Sequence, residues 1–242
     1  KVITNAPLRE SKIVGTRLHQ RFAPTAPIST YLFSFSAGPF VEIAETGSAA
    51  ALGAAPATRL FVRRSRAQRA AREAPELLRL NRAALHWFAD YFATPYPFAK
   101  YDLVLIPELP YGGMEHAGAS LLREESVLFP FQPGTADLLR RANLVLHETS
   151  HQWFGDLVTM RWFDDLWLKE GFANFMSAKA MEALLPEFPA WVAFHAQKTA
   201  AYRTDATRGT TPIRQAMANL DTAKSAYGNI VYAKAPAVLR QA

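Results

Sequence analysis

LVLHETSHQWFGDLVT, residues 144–159, places two histidines four positions apart with a glutamate directly after the first. On an α-helix a four-residue step returns to within about 40° of the starting direction, one turn along the axis. Leu144, His147, Glu148 and His151 therefore share one broad face. Imidazoles at 147 and 151 can reach one metal ion from that face, with Glu148 beside them near a water such a metal would carry. The same letters also suit two surface histidines on a polar helix. The rest of the sequence decides.

A metal that keeps one position open for water needs a third protein ligand. Glu170 stands nineteen residues after His151, in WFDDLWLKEGFANF at 162–175. It lies near the start of a second expected helix that the intervening turn can fold back against the first. The chain has no cysteine, so a carboxylate is the natural partner for two histidines, and His147, His151 and Glu170 form a candidate zinc set. Trp162, Phe163 and Trp167 crowd the connection and are expected to pack around it.

The remaining composition sets bounds. The chain has 242 residues, half of them hydrophobic and 12% aromatic, which suits a packed core and disfavours disorder. Its net charge of +6 is concentrated in Arg59, Arg63, Arg64, Arg66, Arg69 and Arg72. These arginines lack the interleaved aromatics of a single-stranded nucleic-acid groove, so a solvated basic helix face is expected and no nucleic-acid partner. No apolar stretch approaches the roughly 18 residues of a membrane span, and no signal peptide opens the chain. It starts at Lys1 and stops at Ala242 without a terminating feature, so it is expected to be part of a longer polypeptide, with compartment and oligomeric state left open.

Residues 1–45 alternate like strands, with Pro and Gly punctuation. The small-residue stretch TGSAAALGAAPAT at 46–58 reads as a boundary. Pro75 is expected to open a helix through Leu77, Leu78, Leu85 and Phe88 that Pro95 closes. YDLVLI at 101–106 reads as a strand. Helices are expected over roughly 136–154, ended by Gly155, and 166–184, ended before Pro186.

HETSHQWFGDLVTM with WFDDLWLKEGFANF resembles the zinc signature of the M1 family of metallo-aminopeptidases. PYGGMEHAGA at 110–119 resembles that family's GxMEN exopeptidase motif, and YGNIVYAKAPAVLRQ at 227–241 its tyrosine-containing segment. Residues 22–44 look like the end of the family's N-terminal β domain. The resemblance implies an α+β, thermolysin-like catalytic domain over residues 56–242, with a mixed sheet and a mainly helical second lobe. It also implies that residues 1–55 hold the end of a β domain plus linker.

Residue by residue, the resemblance implies one Zn²⁺ on His147, His151 and Glu170, with Glu148 as general base. Glu115 would bind the α-ammonium of a peptide substrate with a free N-terminus. Gly112, Gly113, Met114 and His116 would complete that motif, and Tyr232 would donate to the oxyanion. Tyr227 is the rival for that last role, but only Tyr232 has the I-V-Y-x-K context. His116 replaces the motif's usual Asn: it takes over its hydrogen bonds, binds a second metal or marks a shifted substrate preference. The K-A-P at 234–236 departs from the family's K-G-A without touching a ligand. Asn174, one turn after Glu170, is a candidate to accept from the outer N–H of a ligating histidine, with Asp164 and Asp165 as alternatives or helix caps. Other readings of the same site are an endopeptidase, an epoxide hydrolase and a non-catalytic interaction module.

Overall fold

The computed structural model describes residues 1–44 and 56–242. It divides into two compact units, Lys1–Arg141 and Ala142–Ala242. Most of the expected boundary stretch, 46–55, lies outside the described residues.

The first unit is built on a five-stranded mixed sheet. Strand β1 (Val2–Thr4) pairs with β4 (Phe35–Ala37), and β2 (Leu8–Val14) forms an antiparallel ribbon with β3 (Arg17–Phe22). The sheet proper comprises β5 (Phe40–Ala44), β6 (Thr58–Arg63), β7 (Tyr101–Ile106), β8 (Gly113–Met114) and β9 (Ala119–Arg123). Its order is β5-β6-β7-β9-β8, parallel at β6-β7 and β7-β9 and antiparallel at both ends. β5 precedes the expected domain boundary and β6 follows it, so the sheet itself runs across that boundary.

Strand β7 is buried along almost its whole length, as a central strand covered on both faces must be. On one face Phe61 and Val104 meet Ile3, which ties β1 to the sheet. The alternate residues Leu60, Val62, Leu103 and Leu105 are buried on the other. Helix α1 (Ala67–Tyr91) packs against β6, and the short helix α2 (Glu124–Val127) follows β9.

Two expectations need correction here. Pro75 does not open α1 but sits inside it, eight residues after the first helical residue. It removes one helical hydrogen bond, yet the buried stripe continues on both sides of it, through Ala70 and Ala74 before and Leu77, Leu78, Leu85 and Phe88 after. Nor do the arginines form one solvated helix face. Arg59 and Arg63 lie on β6, and Arg64 and Arg66 in a short 3₁₀ turn. Arg59 grips Asp102 with two hydrogen bonds of 2.8 and 3.0 Å, and Lys100 donates to the same carboxylate at 2.7 Å. Arg63 makes a forked pair to Glu124 at 2.9 and 2.8 Å, joined by Arg66 at 2.8 Å. Both carboxylates are buried, and an unpaired buried anion is strongly destabilising. Arg59, Arg63 and Arg66 therefore neutralise buried carboxylates.

The second unit is helical. After the end of α3 (Thr135–Ser150) come α4 (Leu166–Leu184), α5 (Ala190–Asp205), α6 (Leu220–Ala226) and α7 (Ala235–Leu239). A π-helical turn, Ile230–Lys234, leads directly into α7. Among the described residues no helix is long and apolar enough to cross a membrane.

Burial raises the Glu124 carboxyl, but its hydrogen bonds to Arg63 and Arg66 outweigh this and hold it below the ordinary range. A group with a depressed folded-state pKa contributes stability that is complete above the unfolded value of about 4.3 and is lost as pH falls through the lower folded value. Urea unfolding followed below pH 5 is expected to show this loss. Glu124→Gln is expected to flatten that part of the pH profile while lowering stability at neutral pH.

Candidate metal centre

Helix α3 ends at Ser150, four residues earlier than expected. The chain keeps coiling past it: the His151 N–H reaches the His147 carbonyl at 3.2 Å, and Gln152 and Trp153 then bond three residues back. This tightening precedes Gly155, whose φ of +126° turns the chain out of the helix. A Cβ at Gly155 would stand 3.1 Å from His151 Nδ1 and 3.2 Å from Lys169 Cγ. The position thus needs glycine both for its backbone and for the close packing beside His151.

His147 and His151 lie one turn apart with their rings nearly perpendicular, at 87°. Their Nε2 atoms are 3.0 Å apart, and each is 3.3 Å from Glu170 Oε2. A tetrahedral ion with bonds of about 2.0–2.1 Å separates its ligand atoms by about 3.3 Å. The donor set and spacing therefore fit a zinc-sized cation. Three lone pairs at these distances repel unless positive charge lies among them. The His151 Nδ1–H donates to the Phe154 carbonyl at 2.8 Å, which turns the Nε2 lone pair toward the group. His147 Nδ1 is buried without a hydrogen-bond partner. Among the described residues this is the one cluster of three or more such side chains able to hold a metal.

Burial by itself would push the Glu170 carboxyl up, but the adjacent Lys169 ammonium helps hold it well below the ordinary carboxylate range. It is thus an anion, as a ligand must be. Glu148 is buried in the same unit. The Tyr232 ring stands 6.4 Å from that of His147, and the Tyr227 ring 6.2 Å from that of Tyr232.

Tyr232 is held by the helix that carries Glu170. Asn174 Nδ2 donates to the Tyr232 carbonyl at 2.6 Å, so the expected bond from a ligating histidine to Asn174 gives way to an anchor for the tyrosine segment. The outer nitrogen of His151 is satisfied by backbone instead. Asp164 accepts from the Met217 N–H at 2.6 Å. Asp165 occupies the N-cap position of α4 but makes no capping bond, pairing instead with Arg214 at 3.1 Å. Phe163 and Trp167 pack against the core of Leu166, Met217, Ala223, Ala226 and Val231, and Trp162 donates to the Met217 carbonyl at 2.6 Å.

The motif at 110–119 belongs to the first unit. Gly113 and Met114 form the edge strand β8, paired with Leu122 and Leu121, and Gly112 accepts from the Arg123 N–H at 2.8 Å. Glu115 is buried. His116 Nδ1 lies 3.1 Å from the Leu32 carbonyl, which also accepts from Asn5 at 2.8 Å. Facing a carbonyl, that nitrogen carries the proton. His116 thus ties the motif to the 3₁₀ turn at Thr30–Leu32.

Sequence reasoning passed over Gly171. A Cβ there would come within 2.8 Å of Ala235 Cβ and 3.2 Å of the Val231 carbonyl, so α4 approaches the Tyr232 segment backbone to backbone. A glycine directly after a ligand was the available signal.

Two histidines on one helical turn, completed by a glutamate from the next helix, form a two-histidine, one-carboxylate group that could hold a metal. Residues 77–242 match the peptidase family M1 domain. The chain is 34% identical over 241 residues to "Leucyl aminopeptidase" of Saccharolobus solfataricus, covering 99% of this chain and 29% of that protein. It is 37% identical over 248 residues to "Aminopeptidase N" of Streptomyces lividans (99% and 27%), and 34% identical over 241 residues to "Aminopeptidase M1-A" of Oryza sativa subsp. japonica (98% and 26%). The chain belongs to peptidase family M1, and it spans 26–29% of the length of these curated relatives.

Gly171→Ala is expected to force α4 and the 230–236 segment apart. Overpacking of this kind costs about 1–3 kcal/mol. Thermal unfolding should show a lowered midpoint, and intrinsic fluorescence a changed environment for the site tyrosines.

Proposed function

We propose that this chain carries the catalytic part of a zinc-dependent aminopeptidase, which hydrolyses the N-terminal peptide bond of peptides. The observation that carries the reading is the convergence of His147 Nε2, His151 Nε2 and Glu170 Oε2 within 3.0–3.3 Å of one another. The M1 family membership and the names of the relatives support it. We read the mixed sheet and the helical unit as the two lobes of a thermolysin-like domain. The end of a β domain precedes it, in residues ahead of β5, since β5 already belongs to the mixed sheet.

His147, His151 and Glu170 would hold one zinc per chain. Zinc so held would lower the pKa of a water toward 7 and polarise the scissile carbonyl. Glu148 takes a proton from the attacking water and returns it to the leaving amine. Tyr232, anchored through Asn174, donates its phenolic O–H to the oxyanion. Glu115 pairs with the α-ammonium of the substrate, Gly112, Gly113 and Met114 present backbone to it, and His116 steadies the motif through Leu32.

Glu148→Gln is expected to retain about one zinc per chain and lose turnover, since an amide keeps the shape but takes no proton. Glu170→Ala is expected to lose the metal. Full zinc content in Glu170→Ala, measured by atomic absorption, would remove the ligand assignment.

Glu115→Ala is expected to keep zinc while sharply weakening cleavage of peptides with a free amine. A hydrogen bond to a charged group is worth about 1.5–3 kcal/mol, so the loss should be on the order of 10- to 100-fold. N-acetylated peptides should be poor substrates for the unmodified protein and lose far less from the substitution. Equal cleavage of both peptide types by the unmodified protein would turn the reading to an endopeptidase.

A further inference from the structure

Lys169 is buried directly beside the candidate metal group, at 3% exposure. Its Nζ lies 3.0 Å from Glu170 Oε1, while Glu170 Oε2 faces both histidines. Neighbouring residues on a helix point about 100° apart and do not ordinarily meet. Here the lysine stem is packed into place: its Cγ is the atom that a Cβ on Gly155 would strike at 3.2 Å. The face of the Tyr227 ring lies 5.9 Å from the ammonium. A second cation next to a metal costs Coulomb energy, so its presence in a dry site calls for a compensating role.

We propose that Lys169 is a positioning residue that captures Glu170 Oε1, leaving only Oε2 to the metal, with the Tyr227 ring backing the ammonium. The inference rests on the reading of His147, His151 and Glu170 as a zinc site, and it deepens that reading. A carboxylate with both oxygens free can close on a metal with two bonds. One oxygen held by lysine restricts it to one, and this preserves room for a water and a substrate carbonyl. Hydrogen-bonded partners of ligands commonly govern metal affinity by about 10- to 100-fold.

The test is a metal titration of the metal-free protein, unmodified and with Lys169→Met, Tyr227→Leu or Tyr227→Phe. Zinc affinity is read by chelator competition, and coordination number by the visible spectrum of the cobalt(II) form. Lys169→Met is expected to lower the cobalt absorption, as the freed carboxylate oxygen raises the coordination number, and to tighten zinc by about 10- to 100-fold, as a neighbouring cation is removed and a bond is added. Tyr227→Leu should shift both in the same direction by less, and Tyr227→Phe, which keeps the ring, should shift neither. A folded Lys169→Met protein with unchanged affinity and spectrum overturns the proposal and leaves the zinc site standing. If Lys169→Met does not fold, an unchanged spectrum in Tyr227→Leu overturns it. An unmodified protein that binds neither metal overturns both this proposal and the zinc reading.

Discussion

The second unit is organised around a repulsion. Two imidazole nitrogens and a carboxylate oxygen stand within 3.0–3.3 Å of one another, an arrangement that lone pairs resist unless a cation joins them. Everything nearby holds that unfavourable geometry in place. The Phe154 carbonyl fixes the His151 ring, Gly155 lets the chain turn away without displacing it, and Lys169 balances the charge of Glu170. The fold thus gathers three donor atoms whose spacing suits a cation among them.

Much of this was legible in the sequence, for a reason that can be stated. A four-residue step on a helix has a fixed geometry, so the convergence of His147 and His151 follows from local rules alone. Glu170 was legible because the absence of cysteine left a carboxylate as the natural third donor. Strand β7 was likewise readable as a continuous apolar run. Element type, in these cases, is a property of the segment itself.

Other features depend on what lies across from a segment. Helical spacing placed Asn174 one turn from Glu170, but it did not name the neighbour, which is the Tyr232 backbone. The arginines looked like a solvated face because their partners, Asp102 and Glu124, are dozens of residues away in the chain. Helix α1 starts early because small alanines extend its buried stripe through a stretch whose charges suggested exposure. The pairing of β5 with β6 spans the stretch that composition marks as a break. None of these is written in local periodicity.

The π-helical turn at Ile230–Lys234 has a consequence for the kind of sequence change this segment can absorb. A π turn holds one more residue than the α-helical turn it replaces, and each residue of an α-helix advances the direction by about 100°. Loss of a single residue before Tyr232 would let the segment relax into regular helix with its hydrogen bonds intact. The tyrosine would nevertheless point elsewhere, and so would the backbone surface that meets Gly171. Here the count of residues carries information that their identities do not, and the segment should tolerate a change of letter more readily than a change of length.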